Sequence, residues 1–473
     1  MTNNRTLIKD TINNLGEKIT LYGWVNSIRD HGKVGFVDLR DTSGIIQIVF
    51  YGKKYNIIKK LGNEYVLKVK GVIKKRAPNQ INKNIPTGKI EVDLEDLKIL
   101  NISKELPIPI DNDGYDIDEE KRLKYRYIDL RRNRMHKNML LRSRLTNAIR
   151  NELINKDFVE VETPMLTKST KEGARDFIVP SRQHKGKFYA LPQSPQQYKQ
   201  LLMSAGIEKY FQVARCIRDE DLRADRGFEF TQVDIEMSFV NQKDIMKTSE
   251  EIITRALKKL NIKLKSQKFP IFTYEEAIKK FGEDKFDLRT KKEKEEGILA
   301  FAWVVDFPFF KKVDKKDKAE VLDGKSGWTF THNPFSQPKE EHLDWLLNRK
   351  NIDKIKAYQY DLVCNGYEVG GGSVRAHKKE VLMATFKIMG YSNKEIKKQI
   401  GHMLEAFELG TPPHGGIAFG LDRIAMLISG EESLKEVIPF PMTGSGKTAV
   451  MDAPSSVDKK LLNELGIKIV ENK

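Results

Sequence analysis

Cysteine is almost absent from this chain: Cys216 and Cys364 are the only two in 473 residues. Two isolated thiols give neither a disulfide framework nor a clustered metal-ligand set, the pattern of a protein kept in a reducing compartment. Long apolar runs are missing too. Met1 to Gly16 is polar, without the hydrophobic stretch of a secretory leader, and no later run is apolar for long enough to cross a bilayer. The expected localisation is therefore cytoplasmic, with no membrane partner. Acidic residues are in deficit, 66 against 83 Lys and Arg, for a net charge of +17. Such an excess suits a polyanionic partner, because clustered cations release counterions from phosphates. A lysine-rich genome would leave the same trace.

What is present suffices for two or three domains with substantial cores, at 39% hydrophobic and 32% charged residues. From about Lys18 to Ile102 apolar and polar residues alternate between turn signals. This gives five short strands around Ile19–Gly23, Val34–Phe36, Ile45–Ile48, Val66–Val69 and Ile90–Val92, and a helical piece near Tyr55–Leu61. Five strands of this size fit a small Greek-key barrel of the oligonucleotide-binding type over residues 1–104. On such a barrel Phe36 can stack a base, Arg29 can meet a phosphate and Gln47 can read a base edge. Pro107, Pro109 and the acidic run 111–120 read as a hinge over 105–132. A helix from Asn133 to about Asn155 then opens the larger part, 133–473.

The densest chemistry lies between Phe211 and Phe239. Alternating segments flank a charged loop, which reads as a long antiparallel hairpin with Arg218 and Glu220 at its strand end. Asp234 and Glu236 alternate on the closing strand and share one face. Facing cations and carboxylates suit a ligand that carries phosphate, amine and carboxylate together. Upstream, a helix starting at Ser194-Pro195 puts Gln196 and Lys199 on one face, where an amide and an ammonium can converge on a carboxylate. Downstream, two strands flank the Asn365-Gly366 turn and run into Gly370-Gly371-Gly372. Asp361 and Glu368 there can hold Mg²⁺ against nucleotide phosphates, and Arg375 can fork onto a carboxylate. Gly444-Ser445-Gly446-Lys447-Thr448 imitates a phosphate loop, but Pro441 stands where the first glycine is required.

In chain order these stretches resemble the bacterial-type aspartyl-tRNA synthetases, a class IIb family of aminoacyl-tRNA synthetases. Phe158–Pro164 resembles motif 1, with its proline at the dimer interface. Arg218-Asp219-Glu220 through Gln232 resembles motif 2, and Gly410–Arg423 resembles motif 3. The run from Gly23 to Phe50 resembles the anticodon-binding barrel, Ser169–Phe177 the flipping loop, and Thr331–Phe335 a His-His-Pro-Phe loop. The resemblance implies an α+β fold: a five-stranded barrel, then an antiparallel catalytic sheet flanked by helices. It implies a homodimer that activates L-aspartate with ATP and Mg²⁺ and transfers it to tRNA-Asp, with tRNA-Asn left open.

By the same resemblance, Arg218, Glu220 and Arg423 carry the chemistry. Glu172, Ser194, Gln196, Lys199, Asp234, His332 and Arg375 join Arg218 on aspartate. The nucleotide falls to Arg218, Asp219, Glu220, Gly227, Phe230, Glu368, Gly420, Leu421, Asp422 and Arg423. Asp361 and Glu368 hold the metal, and Arg29, His31, Phe36, Gln47 and Glu91 face the anticodon. His31 accompanies relaxed anticodon reading in the family, although Asn79 replaces the glycine often paired with it.

The chain departs from the family pattern in three places. Gly227-Phe228 stands for Gln-Pro, Asn333 for the second histidine, and Phe281–Arg289 joins Phe301–Phe310 almost directly where the family carries a large extra domain. The segment 265–330 thus reads as a reduced remnant, with Thr290–Glu296 a solvated junction, and activity is expected not to depend on the missing part. Two rivals remain: an asparaginyl enzyme of the same subclass, which Lys199 and Arg375 oppose because an amide would leave both cations unpaired, and a catalytically inactive tRNA- or RNA-binding relative.

Overall fold

The computed structural model describes residues 5–170, 172–316 and 318–470; Lys171 of the expected flipping loop and the terminal residues lie outside it. Two compact units part between Pro109 and Ile110. Residues from Ile110 to Arg132, within the expected hinge, cluster with the second unit.

In the first unit β1 (Lys18–Asp30), β2 (Val34–Asp41), β3 (Gly44–Tyr51), β4 (Val66–Lys75) and β5 (Ile90–Asn101) close a barrel in the order β1-β2-β3-β5-β4. The period-2 alternation accounts for it: Leu21, Val25, Val37, Leu39, Ile46, Ile48, Val69 and Val92 point inward and are fully buried. The strands outrun the expected ones because their polar outward residues continue the pairing. Helix α1 (Tyr55–Ile58) contributes Ile58 to the barrel core.

The second unit begins with α2 (Glu119–Lys124), α3 (Arg126–Asp129) and the long α4 (Asn133–Ile154). Asp129 is fully buried and accepts from Arg122, Arg126 and Arg132, so this stretch is pinned rather than loose. Next come β6 (Val159–Glu160), a ribbon of β7 (Ile178–Pro180) and β8 (Phe188–Ala190), and α5 (Gln196–Ser204). Then follow β9 (Lys209–Ile217), β10 (Glu229–Ser238) and α6 (Gln242–Lys259). The shortened region holds β11 (Ile271–Thr273), α7 (Tyr274–Phe281), α8 (Lys291–Glu295), β12 (Phe301–Val305), β13 (Phe310–Lys312), α9 (Lys318–Asp323) and β14 (Trp328–Phe330). After α10 (Leu343–Asn348) come β15 (Gln359–Cys364), β16 (Tyr367–Val374), α11 (Lys379–Ile388), α12 (Asn393–Glu408), β17 (His414–Gly420), α13 (Leu421–Ser429) and α14 (Lys459–Leu465).

Eight strands form one sheet in the order β11-β12-β15-β16-β17-β10-β9-β6, antiparallel except for the pairs β11/β12 and β6/β9. One face packs on α4, α6 and α13 through Val233, Ile235, Leu145, Ile149, Ile252, Ile253 and Ile424. Alternation therefore sends Gln232, Asp234 and Glu236 to the other face, and that face carries the cavity described next.

Candidate active site

Strands β9 and β10 pair from Lys209↔Met237 to Ile217↔Glu229, so Arg218 is the first residue beyond the ladder. Its N–H donates to the Phe228 carbonyl at 2.8 Å and closes the base of the loop. The Arg218 Nε donates to the Gln193 carbonyl at 3.3 Å, and the guanidinium lies 5.0 Å over the Phe230 ring. Among the described residues it makes no other side-chain hydrogen bond, so its two terminal nitrogens face an open cavity of about 640 Å³. That cavity is also lined by Glu172, Ser194, Gln196, Lys199, Glu220, Gly227, Phe230, Asp234, His332, Glu368, Arg375, Gly420, Asp422 and Arg423. The structure thus brings together residues from the stretches that resemble motifs 2 and 3, from the glycine-rich strand β16 and from the loop that carries Glu172, while none of Phe158–Pro164 lines the cavity.

At one end the cations are already committed. Lys199 Nζ lies 2.6 Å from Asp234 Oδ1 and 3.2 Å from Glu236 Oε2. Arg375 donates to both Glu236 oxygens at 2.9 and 3.2 Å, to Ser373 Oγ at 2.8 Å and to the Gly416 carbonyl at 3.4 Å. Gly416 makes this crossing of the sheet possible, because a Cβ there would collide with Glu236 Oε2. Burial raises both carboxyls, but Arg375 and Lys199 hold Glu236 below its ordinary range, while Asp234 stays above it. The expectation that an amide ligand would strand two unpaired cations is therefore corrected: Asp234 and Glu236 pair them within the protein. Sequence inspection placed Glu236 on the right face but gave it no partner, since Arg375 lies 139 residues away. Nearby, Ser194 Oγ donates to Glu172 at 2.6 Å, and burial pushes the Glu172 carboxyl up against the pull of Ser194 and Arg218. Gln196 donates to Gln200, which meets His414 at 3.0 Å behind it. Helix α5 begins at Gln196 with Pro195 as its cap, one residue later than the sequence suggested.

At the other end Asp361 and Glu368 lie side by side over Gly371, whose absent Cβ would come within 3.1 and 3.2 Å of their oxygens. Asp361 Oδ1 is buried without a hydrogen bond, and burial together with Glu368 holds its carboxyl well above the ordinary range. A buried orphan oxygen beside a second carboxylate fits a divalent cation that takes one or two carboxylates and completes its shell with phosphate and water. Among the described residues no group of three or more His, Cys, Asp or Glu forms a cage of its own. Lys285 lies 3.2 Å from Glu368, and His332 Nδ1 lies 3.5 Å from Asp361. Sequence reasoning missed Lys285, which sits in Phe281–Arg289; a lone lysine in a charged stretch carries no pattern. Asn333 Oδ1 accepts from the Phe335 N–H at 3.0 Å, so its amide shapes the turn after His332.

Arg423, in the first turn of α13, meets Asp225 at 3.2 Å and donates to the Glu368 carbonyl, tying motif 3 to the tip of motif 2. Three expected nucleotide residues are engaged elsewhere in this state. Asp219 meets Arg175 at 3.4 Å, Leu421 is in the core, and Asp422 accepts from Arg142 and from the Thr231 N–H at 2.8 Å. Gly444–Thr448 forms turns and leads directly into no helix, as expected of an imitation phosphate loop.

On the barrel, Arg29 forks onto Asp38 at 2.9 and 3.0 Å and reaches Gln47, which donates to Glu91 at 2.8 Å. The His31 and Phe36 rings meet edge-on at 5.7 Å. All five expected anticodon residues thus fall on neighbouring strands β1, β2, β3 and β5 or the turn between β1 and β2.

Residues 118–444 match the family model described as tRNA synthetases class II (D, K and N), and residues 19–100 match an OB-fold nucleic acid binding domain. The chain is 39% identical to the aspartate–tRNA(Asp/Asn) ligase of Natranaerobius thermophilus, covering 96% of this chain and 97% of that protein. A relative of the same name from Dictyoglomus turgidum is also 39% identical, covering 97% and 96%. The first alignment runs over 572 positions against 473 residues, so it carries long gaps in this chain. Among solved structures, a putative aspartyl-tRNA synthetase from Leishmania major matches with a TM-score of 0.73 at 19% identity, covering 93% of this chain and 94% of that one. The asparaginyl-tRNA synthetase of Pyrococcus horikoshii matches with a TM-score of 0.71 at 24% identity, covering 91% and 96%. These two likenesses speak to fold alone.

Proposed function

The chain belongs to the class II tRNA synthetases of the D, K and N group, and we propose that it is an aspartate–tRNA ligase acting on tRNA-Asp and tRNA-Asn. An aspartate α-carboxylate oxygen attacks the α-phosphorus of ATP, the bond to the β-phosphate oxygen breaks and pyrophosphate leaves. A ribose hydroxyl at the tRNA 3′ end then attacks the anhydride carbonyl, and AMP leaves. Both reactants of the first step are anionic, so the protein's task is to hold them together and neutralise charge.

Arg218 does this with its free fork, reaching the α-carboxylate and α-phosphate while Phe230 supports it from behind and stacks adenine. Glu172, backed by Ser194 and Gln196, accepts the ammonium. Arg375 and Lys199, held in register by Glu236 and Asp234, meet the side-chain carboxylate. Glu220 and Arg423 orient the nucleotide. Asp361 and Glu368 would hold Mg²⁺, which neutralises phosphate charge when bound, with His332 alongside. The barrel residues Arg29, His31, Phe36, Gln47 and Glu91 take the anticodon, and the working form is a homodimer. Among the described residues no helix is long and apolar enough to cross a membrane.

The observation that carries this reading is the convergence of the motif 2 and motif 3 stretches with Lys199, Glu368 and Arg375 on one cavity, where the terminal nitrogens of Arg218 are uncommitted. Aspartate is preferred over asparagine on the strength of the 39% identical relatives, since the internal pairing of Lys199 and Arg375 leaves charge alone undecided. The test is ATP–pyrophosphate exchange with each amino acid, then charging of tRNA-Asp and tRNA-Asn transcripts side by side. Exchange driven by asparagine alone sinks the aspartate assignment, and charging of tRNA-Asp only removes tRNA-Asn.

A further inference from the structure

The Phe228 side chain stands where three segments meet. Its ring packs edge-on to Phe177 of the loop that carries Glu172, with centroids 5.4 Å apart and planes at 62°. Behind it lies Gly446 of the C-terminal segment, where a Cβ would come within 2.9 Å of the ring, so the back of Phe228 is filled. The carbonyl of the same residue accepts the Arg218 N–H at 2.8 Å. One residue thus touches both the base of the Arg218 loop and the loop opposite.

That opposite loop is held down chiefly by polar contacts. Ala174 exchanges hydrogen bonds with the Gln193 amide at 3.0 and 2.7 Å, the Asp219 N–H donates to the Arg175 carbonyl at 3.1 Å, and Ser194 meets Glu172 at 2.6 Å. Each of these trades against water when the loop opens and nets little. An edge-to-face aromatic pair loses its partner outright, and is worth about three- to tenfold in an equilibrium. The resemblance would put Gln-Pro at 227–228, and proline offers no aromatic ring to Phe177.

We propose that Phe228 is a positioning residue for the aspartate site: by packing on Phe177 it holds the Glu172 loop closed against Arg218. The inference rests on the proposed function only for what the closed loop binds. Closure brings Glu172 to Ser194 beside the Arg218 fork, so a site with the loop open lacks its acceptor for the ammonium. Apparent affinity for the amino acid then scales with the closed fraction, while the phosphate clamp is untouched.

Phe228→Ala, Phe177→Ala and the double variant, with Phe228→Tyr as the conservative control, are compared in the full chain by two readouts. The first is amide hydrogen exchange without ligand at Ala174 and Asp219, whose N–H groups bridge the closed loop. The second is the aspartate KM in ATP–pyrophosphate exchange. Either alanine should speed exchange at those amides and raise KM by about three- to tenfold, with kcat changed less than about twofold. The double variant should be no worse than the singles, and Phe228→Tyr should behave as wild type. Unchanged protection at Ala174 and Asp219 in Phe228→Ala, with strands β9 and β10 still protected, overturns the proposal. So do single effects that multiply in the double variant. Should Phe228→Ala fail to fold, Phe228→Leu carries the same comparison. A wild-type protein inert with aspartate would refute the proposed function, and hydrogen exchange would still decide the latch.

Discussion

Arg218 and Arg375 face one cavity, yet their surroundings separate what their loss would do. Arg218 spends one nitrogen on the Gln193 carbonyl and is half-buried, so Arg218→Ala removes charge stabilisation without stranding a partner. Exchange activity should fall by about 10²–10³-fold with the unfolding midpoint nearly unchanged. Arg375 and Glu236 are buried against each other, and Glu236→Gln leaves one cation short of its counter-charge. Breaking such a pair costs about 3–5 kcal/mol, so this variant should lose stability in denaturant before its kinetics can be read. A stable Glu236→Gln protein would show that Asp234, with Ser373 Oγ and the Gly416 carbonyl, compensates both cations. Glu172 gives a pH signature. Burial raises its carboxyl above the ordinary 4.5, and an ammonium needs the ionised form. As pH falls through the raised value the acceptor is lost and the aspartate KM should climb, beginning above the ordinary glutamate range. In Glu172→Gln that acid limb should vanish from a KM already high; a limb of unchanged position would assign it to another group. The identities of these residues were legible in the sequence because motif order and a family resemblance single them out. Their partners were not. Pairing across 139 residues between Arg375 and Glu236 depends on strand register, and that between Lys285 and Glu368 on how the segment before α8 folds over the sheet, and no local pattern encodes either.

Elements were legible wherever one face is apolar and the other polar. Helix α4 and the hairpin of β9 and β10 fall where period and turn residues placed them, and Asn365-Gly366 turns with both residues at positive φ, 53° and 90°, as that dipeptide favours. Strand β6 is different: of the motif-1-like run Phe158–Pro164 only Val159–Glu160 pairs as a strand, at the edge of the sheet with β9 as its one neighbour. The junction at Thr290–Glu296 was expected as solvated charge. It proves to be an exposed helix closed by a capping box, with Thr290 Oγ1 accepting from the Glu293 N–H at 3.3 Å and Glu293 accepting from the Thr290 N–H at 2.7 Å. Lys265 and Glu293, and Lys294 and Asp287, tie it to the segment that carries Lys285. A helix of five residues has little propensity of its own, so the cap matters more here than in a longer one. Thr290→Ala should cost about 1 kcal/mol in denaturant unfolding. It should leave exchange activity intact if the short junction merely bridges the region where relatives are longer. A loss of exchange larger than the loss of stability would mean that α8 positions Lys285.

On the scale of the whole chain, two compact units each bury a core of their own. The barrel core is built from Leu21, Val37, Ile48 and Val69, the catalytic core from the sheet face under α4 and α6, and neither needs the other's residues to bury its own. The polar network of Arg29, Asp38, Gln47 and Glu91 is built from barrel residues alone, and every residue proposed for ATP or aspartate belongs to the second unit. Gln47→Ala should therefore leave aspartate-dependent exchange at the wild-type rate and raise the KM for tRNA in charging. The net charge of +17 can be judged by the same separation. If the surplus cations engage the tRNA backbone, the tRNA KM must follow counterion release: about four neutralised phosphates would weaken binding roughly a hundredfold between about 50 and 200 mM salt. Exchange needs no tRNA and draws on charges buried in the cavity, which salt screens weakly, so its rate should barely move. A tRNA KM as indifferent to salt as the exchange reaction would return the lysine excess to composition. The anticodon contacts would then rest on stacking and hydrogen bonds, with Phe36 rather than Arg29 as the residue whose loss is felt most.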